Sequence, residues 1–219
     1  MNKSILISIR PEWVEKILNG EKTIEIRKTM PKCDFPIDVY IYCTKDNGRD
    51  YVTLLPDGKT IYSNDGQFGS WGDDILNGKV VAKFTLNKVN YTTTVVKYGK
   101  GYTHERFKKD INIYATLENI LPKTCLTEEE LINYEHTNHT FGVFAWNIDN
   151  LEIFDKPLEL HNFATYCDGE NDKKCKKCPY YWYESNESIG FEDGCYCNHK
   201  PPLSKAPKSW CYVYRKEDK

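Results

Sequence analysis

No apolar run in this 219-residue chain is long enough to cross a bilayer. A membrane helix needs about 20 such residues, and runs such as Val39–Cys43 stop far short of that. The apolar stretch before Arg10, Ile5–Ile9, is too short to read as a signal h-region. The expectation is a soluble, cytoplasmic protein with no membrane partner. Low-complexity tracts and internal repeats are absent. With 40% hydrophobic and 28% charged residues, the composition excludes a disordered chain, a collagen-like chain and a coiled coil. The length suits one ordinary domain, or one with a small appendage.

A charge excess is missing too, since the formal net charge is only −2. That balance conceals an uneven distribution. Residues 79–109 hold eight Lys or Arg against Glu105 alone, whereas residues 110–170 hold twelve Asp or Glu against Lys123 and Lys156. A basic face is therefore compatible with a near-neutral chain, and the acidic 110–170 region is a candidate surface for a protein partner.

The local patterns read as many short strands with a few short helices. Lys3–Ile9 has a strand pattern. Pro11 opens a helix whose stripe is Trp13, Val14, Ile17 and Leu18, and Asn19-Gly20 closes it. Thr23–Arg27 alternates with period 2, as a half-buried strand does. Val39–Cys43 is another strand. Tyr51–Leu55 and Thr60–Tyr62 flank the turn sequence Pro56-Asp57-Gly58-Lys59 and predict a hairpin. Residues 63–78 read as a loop and Lys79–Asn90 as one strong strand. Thr127–Glu130 has the spacing of a capping box before a helix. Phe141–Trp146 and Leu151–Phe154 follow as short strands, and Leu203–Tyr214 is a closing aromatic segment. Together these predict a mixed α+β domain built on a small barrel.

One constellation that can carry chemistry is Gly20-Glu21-Lys22-Thr23-Ile24-Glu25-Ile26-Arg27, following Ser8-Ile9-Arg10-Pro11-Glu12. Strand alternation puts Glu25 and Arg27 on one face, with Lys22 at its mouth. A carboxylate between two cations stays ionised. It can accept hydrogen bonds or act as a general base, while the cations hold phosphate or a developing oxyanion. The same spacing also fits a surface ion pair on an edge strand.

The run ILISIRPEWVEKILNGEKTIEIRK resembles the opening signature of the ASCH family, of the PUA-like superfamily: strand, Lys or Arg-Pro, helix, then G-x-K-x-x-E-x-R. The resemblance continues through VYIYCT, NGKVVAKFTLNKV and IFDKPLEL to KAPKSWCYVY, with Lys208 where relatives often carry Gln. It implies a PUA-like β-barrel with a cleft lined by Lys22, Glu25 and Arg27, and binding of RNA or a nucleotide there. Some family members are amidohydrolases acting on acetylated cytidine through a Lys, a Thr and a Glu. Lys22 matches that Lys, but Glu25 occupies the Thr position and Thr23 is no positional match. A carboxylate does not replace a hydroxyl nucleophile. The expected function is RNA or nucleotide binding, with Arg10, Lys22, Glu25 and Arg27 as contacts. The alternative is a hydrolase, either a modified-nucleoside amidohydrolase or a ribonuclease, in which Lys22 and Glu25 are catalytic.

The other constellation lies near the C-terminus. Of nine cysteines, Cys33, Cys43 and Cys125 are scattered, but Cys167, Cys175, Cys178, Cys195, Cys197 and Cys211 fall in the last quarter. In a reducing compartment this cluster calls for a metal instead of disulfides. Cys175-x2-Cys178 supplies two thiolates from one turn, flanked by Lys173, Lys174, Lys176 and Lys177. Cys167 and Cys195 complete the preferred set, with Cys197 next and His199 in reserve. A structural zinc is expected, because residues 166–200 lack the apolar content to fold alone. An iron–sulfur cluster is the less favoured alternative, and reduced, unliganded thiols are the bland one. The expected organisation is a barrel domain from residues 1–165 and 201–219, interrupted by a metal-binding knuckle at 166–200.

Weaker signals complete the reading. The basic stretch interleaves Phe84, Tyr91, Tyr98, Tyr102 and Phe107 with its lysines; Tyr98 and Tyr102 are candidate base-stacking residues, and buried aromatics under a solvated face are the alternative. His136 and His139 read as helix-end polar residues before metal ligands. Trp71 fits a loop tip or a core anchor. Trp210 reads as core, and Cys33, Cys43, Cys125 and Cys211 as small buried or semi-buried residues.

Overall fold

The structure, a computed structural model, describes residues 3–45, 49–64, 75–92, 117–136, 142–165 and 202–215. Eleven strands are the main elements of these residues: β1 (Ser4–Ile9), β2 (Ile24–Arg27), β3 (Ile37–Cys43), β4 (Tyr51–Leu54), β5 (Thr60–Ser63), β6 (Val80–Leu86), β7 (Val89–Thr92), β8 (Val143–Asn147), β9 (Asp149–Leu158), β10 (Phe163–Thr165) and β11 (Trp210–Arg215). The helices are short: α1 (Pro11–Leu18), α2 (Leu117–Ile120) and α3 (Glu128–His136).

A six-stranded sheet runs in the order β10-β11-β1-β3-β6-β9, and a three-stranded sheet in the order β2-β8-β7. β1 and β3 pair in parallel, and the other pairs of the large sheet are antiparallel. Among the described residues neither sheet closes on itself, which corrects the expected barrel: β10 and β9 remain separate edges. The fold is mixed α+β, mostly strand with few helices.

Why β1 and β3 sit centrally follows from their sequences. Both are largely apolar, as strands buried on two faces are, with Ser8 in β1 and the exposed Asp38 near the start of β3 as interruptions. In β1, Ile5, Ile7 and Ile9 point into the main core, where Val39, Ile41, Cys43, Phe84 and Trp146 meet them. Leu6 points the other way, to Tyr40, Tyr42, Phe163 and Val213. Phe144 and Trp146 of β8 share the main core, so the small sheet packs face-on against the large one. The other face of the small sheet, Ile24, Ile26, Val143 and Ala145, is covered by Ile120 and Leu131 of the helical segment. Burial of Cys43 pushes its thiol up to about 12.

Several local expectations match. The capping box at α3 is present: the Thr127 N–H donates to Glu130 Oε2 at 2.7 Å and the Glu130 N–H donates to Thr127 Oγ1 at 3.2 Å. Others need revision. Lys79–Asn90 is two strands, because the chain turns at Asn87-Lys88, where the Asn87 amide donates to Asp149 at 2.9 Å. β10 had no signal, and β9 extends well beyond Leu151–Phe154. In the basic stretch, Phe84 is buried core and Tyr91 stacks edge-on against Phe144 at 5.4 Å, so neither is free to stack on a base.

Candidate functional site

The Gly20 junction places the first charged side chain. Gly20 has φ +78°, a conformation favouring glycine, and the following amides of Glu21 and Lys22 both donate back to Lys16 O at 2.8 and 3.0 Å. The chain therefore folds under α1 and carries the Lys22 side chain inward. Its ammonium donates to the Thr124 carbonyl at 2.7 Å, stands 3.4 Å from Glu25 Oε2, and lies 5.3 Å from the centre of the Trp13 ring.

β2 places the other two. In register, Glu25 opposes Trp146 and Arg27 opposes Phe144, so both charged residues face the large sheet while Ile24 and Ile26 face the helices. Arg27 Nη2 is 3.0 Å from Glu25 Oε1 and donates to the Ser8 carbonyl at 2.7 Å; Nη1 donates to Ser209 Oγ at 3.3 Å. The strand is not half-buried as its alternation predicts. Lys22, Glu25 and Arg27 are only 3%, 7% and 9% exposed, which sets aside the surface ion pair. Their burial is tolerable because each charge has an opposite partner and hydrogen bonds besides. Two donors of this group, Arg27 Nε and Trp146 Nε1, are buried with no acceptor in reach among the described residues.

These groups line a cleft of about 800 Å³, a size typical of ligand sites. Ile9, Ile26, Leu126, Trp13 and Tyr134 give it apolar and aromatic walls, and Arg10, Lys208 and Ser209 also line it. Arg10 is highly exposed and paired loosely with Glu12 at 3.8 Å. The C-terminal wall is sewn to β1: the Ser8 N–H donates to Ser209 O at 2.9 Å and Ser8 Oγ donates to Pro207 O at 2.7 Å. Burial raises the phenol of Tyr134 above its ordinary value, with smaller influences from nearby Arg27, which lowers it, and Glu25, which raises it. Glu130, another lining residue, is lowered by its hydrogen bonds to Thr127.

Arg10, Lys22, Glu25 and Arg27 are thus brought to one hollow. Trp13 and Tyr134 are additional lining residues. Trp13 belongs to the apolar stripe of α1, so its sequence signal was that of a core residue, and Tyr134 carried none. Tyr98, Tyr102, Trp71, His139 and the cluster Cys167, Cys175, Cys178, Cys195, Cys197 and His199 lie outside the described residues. Among the described residues no group of three or more His, Cys, Asp or Glu is placed to hold a metal ion, and no helix is long and apolar enough to cross a membrane.

The ASCH domain matches residues 7–123, more than half of the chain. The chain belongs to the ASCH domain family. Among curated proteins, none matches. Similar solved structures include ASCH from Zymomonas mobilis, at 13% identity and TM-score 0.45, covering 96% of this chain and 87% of that one. A mutant of the Zymomonas mobilis protein is similar at 13% identity and TM-score 0.47, over 98% of this chain and 93% of that one. The matched ASCH region contains Arg10, Trp13 and the whole Lys22–Glu25–Arg27 group. Leu126, Glu130, Tyr134, Lys208 and Ser209 of the cleft fall outside it.

Proposed function

We propose that this ASCH protein binds RNA or a nucleotide, with an unpaired base entering the cleft. The observation that carries the reading is the charged floor: a carboxylate held between an ammonium and a guanidinium, all more than nine-tenths buried, beneath a hollow with aromatic walls. Glu25 accepts a hydrogen bond from a base edge and orients the two cations. Lys22 and Arg27 meet acceptor atoms of the base or its phosphate, and Trp13 and Tyr134 offer rings for stacking. Arg10 meets phosphate at the rim, and the basic stretch with Tyr98 and Tyr102 extends the contact surface. ASCH membership supports the reading, since the family has a PUA-like fold associated with RNA binding.

The test is titration of labelled single-stranded RNA at several salt concentrations. Binding should be steeply salt-dependent, Lys22→Ala should abolish it, and no product should form. Unchanged affinity in Lys22→Ala rejects the cleft as the binding site.

A hydrolase is the second reading, favoured by the contact of Glu25 with two cations that would stabilise an anionic intermediate. Glu25 would be general base. Turnover of acetylated cytidine or of RNA, lost in a folded Glu25→Gln protein, would establish it over simple binding.

For the C-terminal cysteines the proposal is a structural zinc held by four of Cys167, Cys175, Cys178, Cys195 and Cys197. Elemental analysis of never-chelated protein should find about one zinc per chain, and chelation should loosen this segment before the sheets melt. Metal-free protein rejects it.

A further inference from the structure

A second hollow, of about 360 Å³, adjoins the cleft. Arg10, Glu12 and Thr44 line both, so the two share a wall formed by the start of α1 and the residue after β3. Their chemistry differs. The cleft has flat apolar walls over a charged floor and suits a heteroaromatic ring. The second hollow adds Lys45, Asp50 and Tyr62, and its lining is polar apart from Pro11 and the ring of Tyr62.

The fold shapes the hollow from two sides. Gly78, at φ +80°, leaves room for the stem of Lys45: a Cβ at that position would come within 2.9 Å of Lys45 Cε. The Gly78 turn is itself tied to the end of β3, its N–H donating to Cys43 O at 2.8 Å. Asp50 accepts from the Tyr62 hydroxyl at 2.8 Å, and its carbonyl accepts from the Asn77 amide at 2.7 Å. Two cations, Arg10 and Lys45, thus face two carboxylates, Glu12 and Asp50. A bare anion would be repelled by the carboxylates and a bare cation by the Lys and Arg. A ligand carrying anionic oxygens and hydroxyl donors together satisfies both sets.

We propose that the second hollow is a ribose–phosphate subsite continuous with the base cleft. This rests on the nucleotide-binding reading of that cleft. Lys45 and Arg10 hold the phosphate flanking the bound base, and Glu12 and Asp50 accept hydrogen bonds from ribose hydroxyls. The preferred ligand is then a single-stranded ribo-oligonucleotide. A free nucleoside lacks the flanking phosphate, and DNA lacks the 2′-hydroxyl that a carboxylate here would read.

The test compares three probes on the full chain: a labelled eight-nucleotide randomised single-stranded RNA, the same pool as DNA, and an equal mixture of the four ribonucleosides. Wild type should bind RNA more tightly than DNA. Lys45→Ala should weaken RNA binding about tenfold, lower the slope of log affinity against log salt by about 0.7, and leave nucleoside binding unchanged. Asp50→Asn should narrow the gap between RNA and DNA. Because Asp50 also anchors Tyr62, its variant is checked by thermal melting, and exposed Lys45 carries the test if that variant unfolds. Equal wild-type affinity for RNA and DNA, or an unchanged RNA affinity and salt slope in Lys45→Ala, overturns the subsite. Lys22→Ala separates the two readings. If it abolishes binding while Lys45→Ala does nothing, only the subsite falls; if it changes nothing, or wild type binds no probe, the cleft reading falls and the subsite with it.

Discussion

β1 and β2 are both short strands with every residue buried, yet they are buried for opposite reasons. β1 carries Ile and Leu into two dry cores, where burial is favourable at about 1.5–3 kcal/mol per large side chain. β2 carries Arg27 into contact with the end of β1 and Glu25 into contact with Arg27, where burial is unfavourable unless every charge is matched. The three charges of Lys22, Glu25 and Arg27 are matched to one another and to carbonyls of Ser8 and Thr124. A domain that needed only stability would have no use for such a group. Local conflict between burial and polarity is where function concentrates.

Single substitutions should expose that difference. Glu25→Leu strands two buried cations and should lower stability by about 3–5 kcal/mol, read by denaturant unfolding, while abolishing RNA binding. Ile7→Ala opens a cavity in the dry core and should cost about 2–5 kcal/mol, with RNA affinity retained by the folded fraction. The two variants thus separate burial for stability from burial for binding. If Ile7→Ala also loses affinity in proportion, the distinction fails. Replacing all three charges together, as Lys22→Met, Glu25→Leu and Arg27→Met, should recover most of the stability lost in Glu25→Leu but none of the binding. Equal instability of the single and triple variants would show that the carbonyl contacts, and not the charge pairing, hold the strand.

The smallest effect belongs to the exposed edge of the cleft. Glu130 is held below its ordinary value of 4.5 by its hydrogen bonds to Thr127. Its contribution is therefore complete above that value and is lost as pH falls through the lower folded value. Glu130→Gln should melt slightly below wild type at neutral pH, and the two melting curves should converge in acid. A gap that persists in acid would mean that the cap acts by shape alone.

The legible parts of the sequence were those whose cause is local. The apolar runs of β1 and β3, Pro11 and Asn19-Gly20 around α1, the Pro56–Lys59 turn and the Thr127–Glu130 box all state their structure within a few residues. β9 is different: its exposure alternates poorly, with Asp149, Glu152 and Asp155 along an edge, and its length is set by pairing with β6. The depth of Glu25 and Arg27 was equally hidden. Alternation correctly put them on one face, but that this face meets Ser8 and Ser209 depends on contacts 19 and 182 residues apart. Trp13 shows the same limit. Its spacing marks the apolar side of α1, and only the approach of the Lys22 ammonium, 5.3 Å from the ring centre, shows that the ring borders a cleft.

The guanidinium of Arg27 clasps Ser8 near one extremity of the sequence and Ser209 near the other. During synthesis, then, the hollow has no finished rim until Lys208 and Ser209 have left the ribosome. A chain cut before those two residues would keep its opening signature intact and still offer a ligand a vessel with one wall missing.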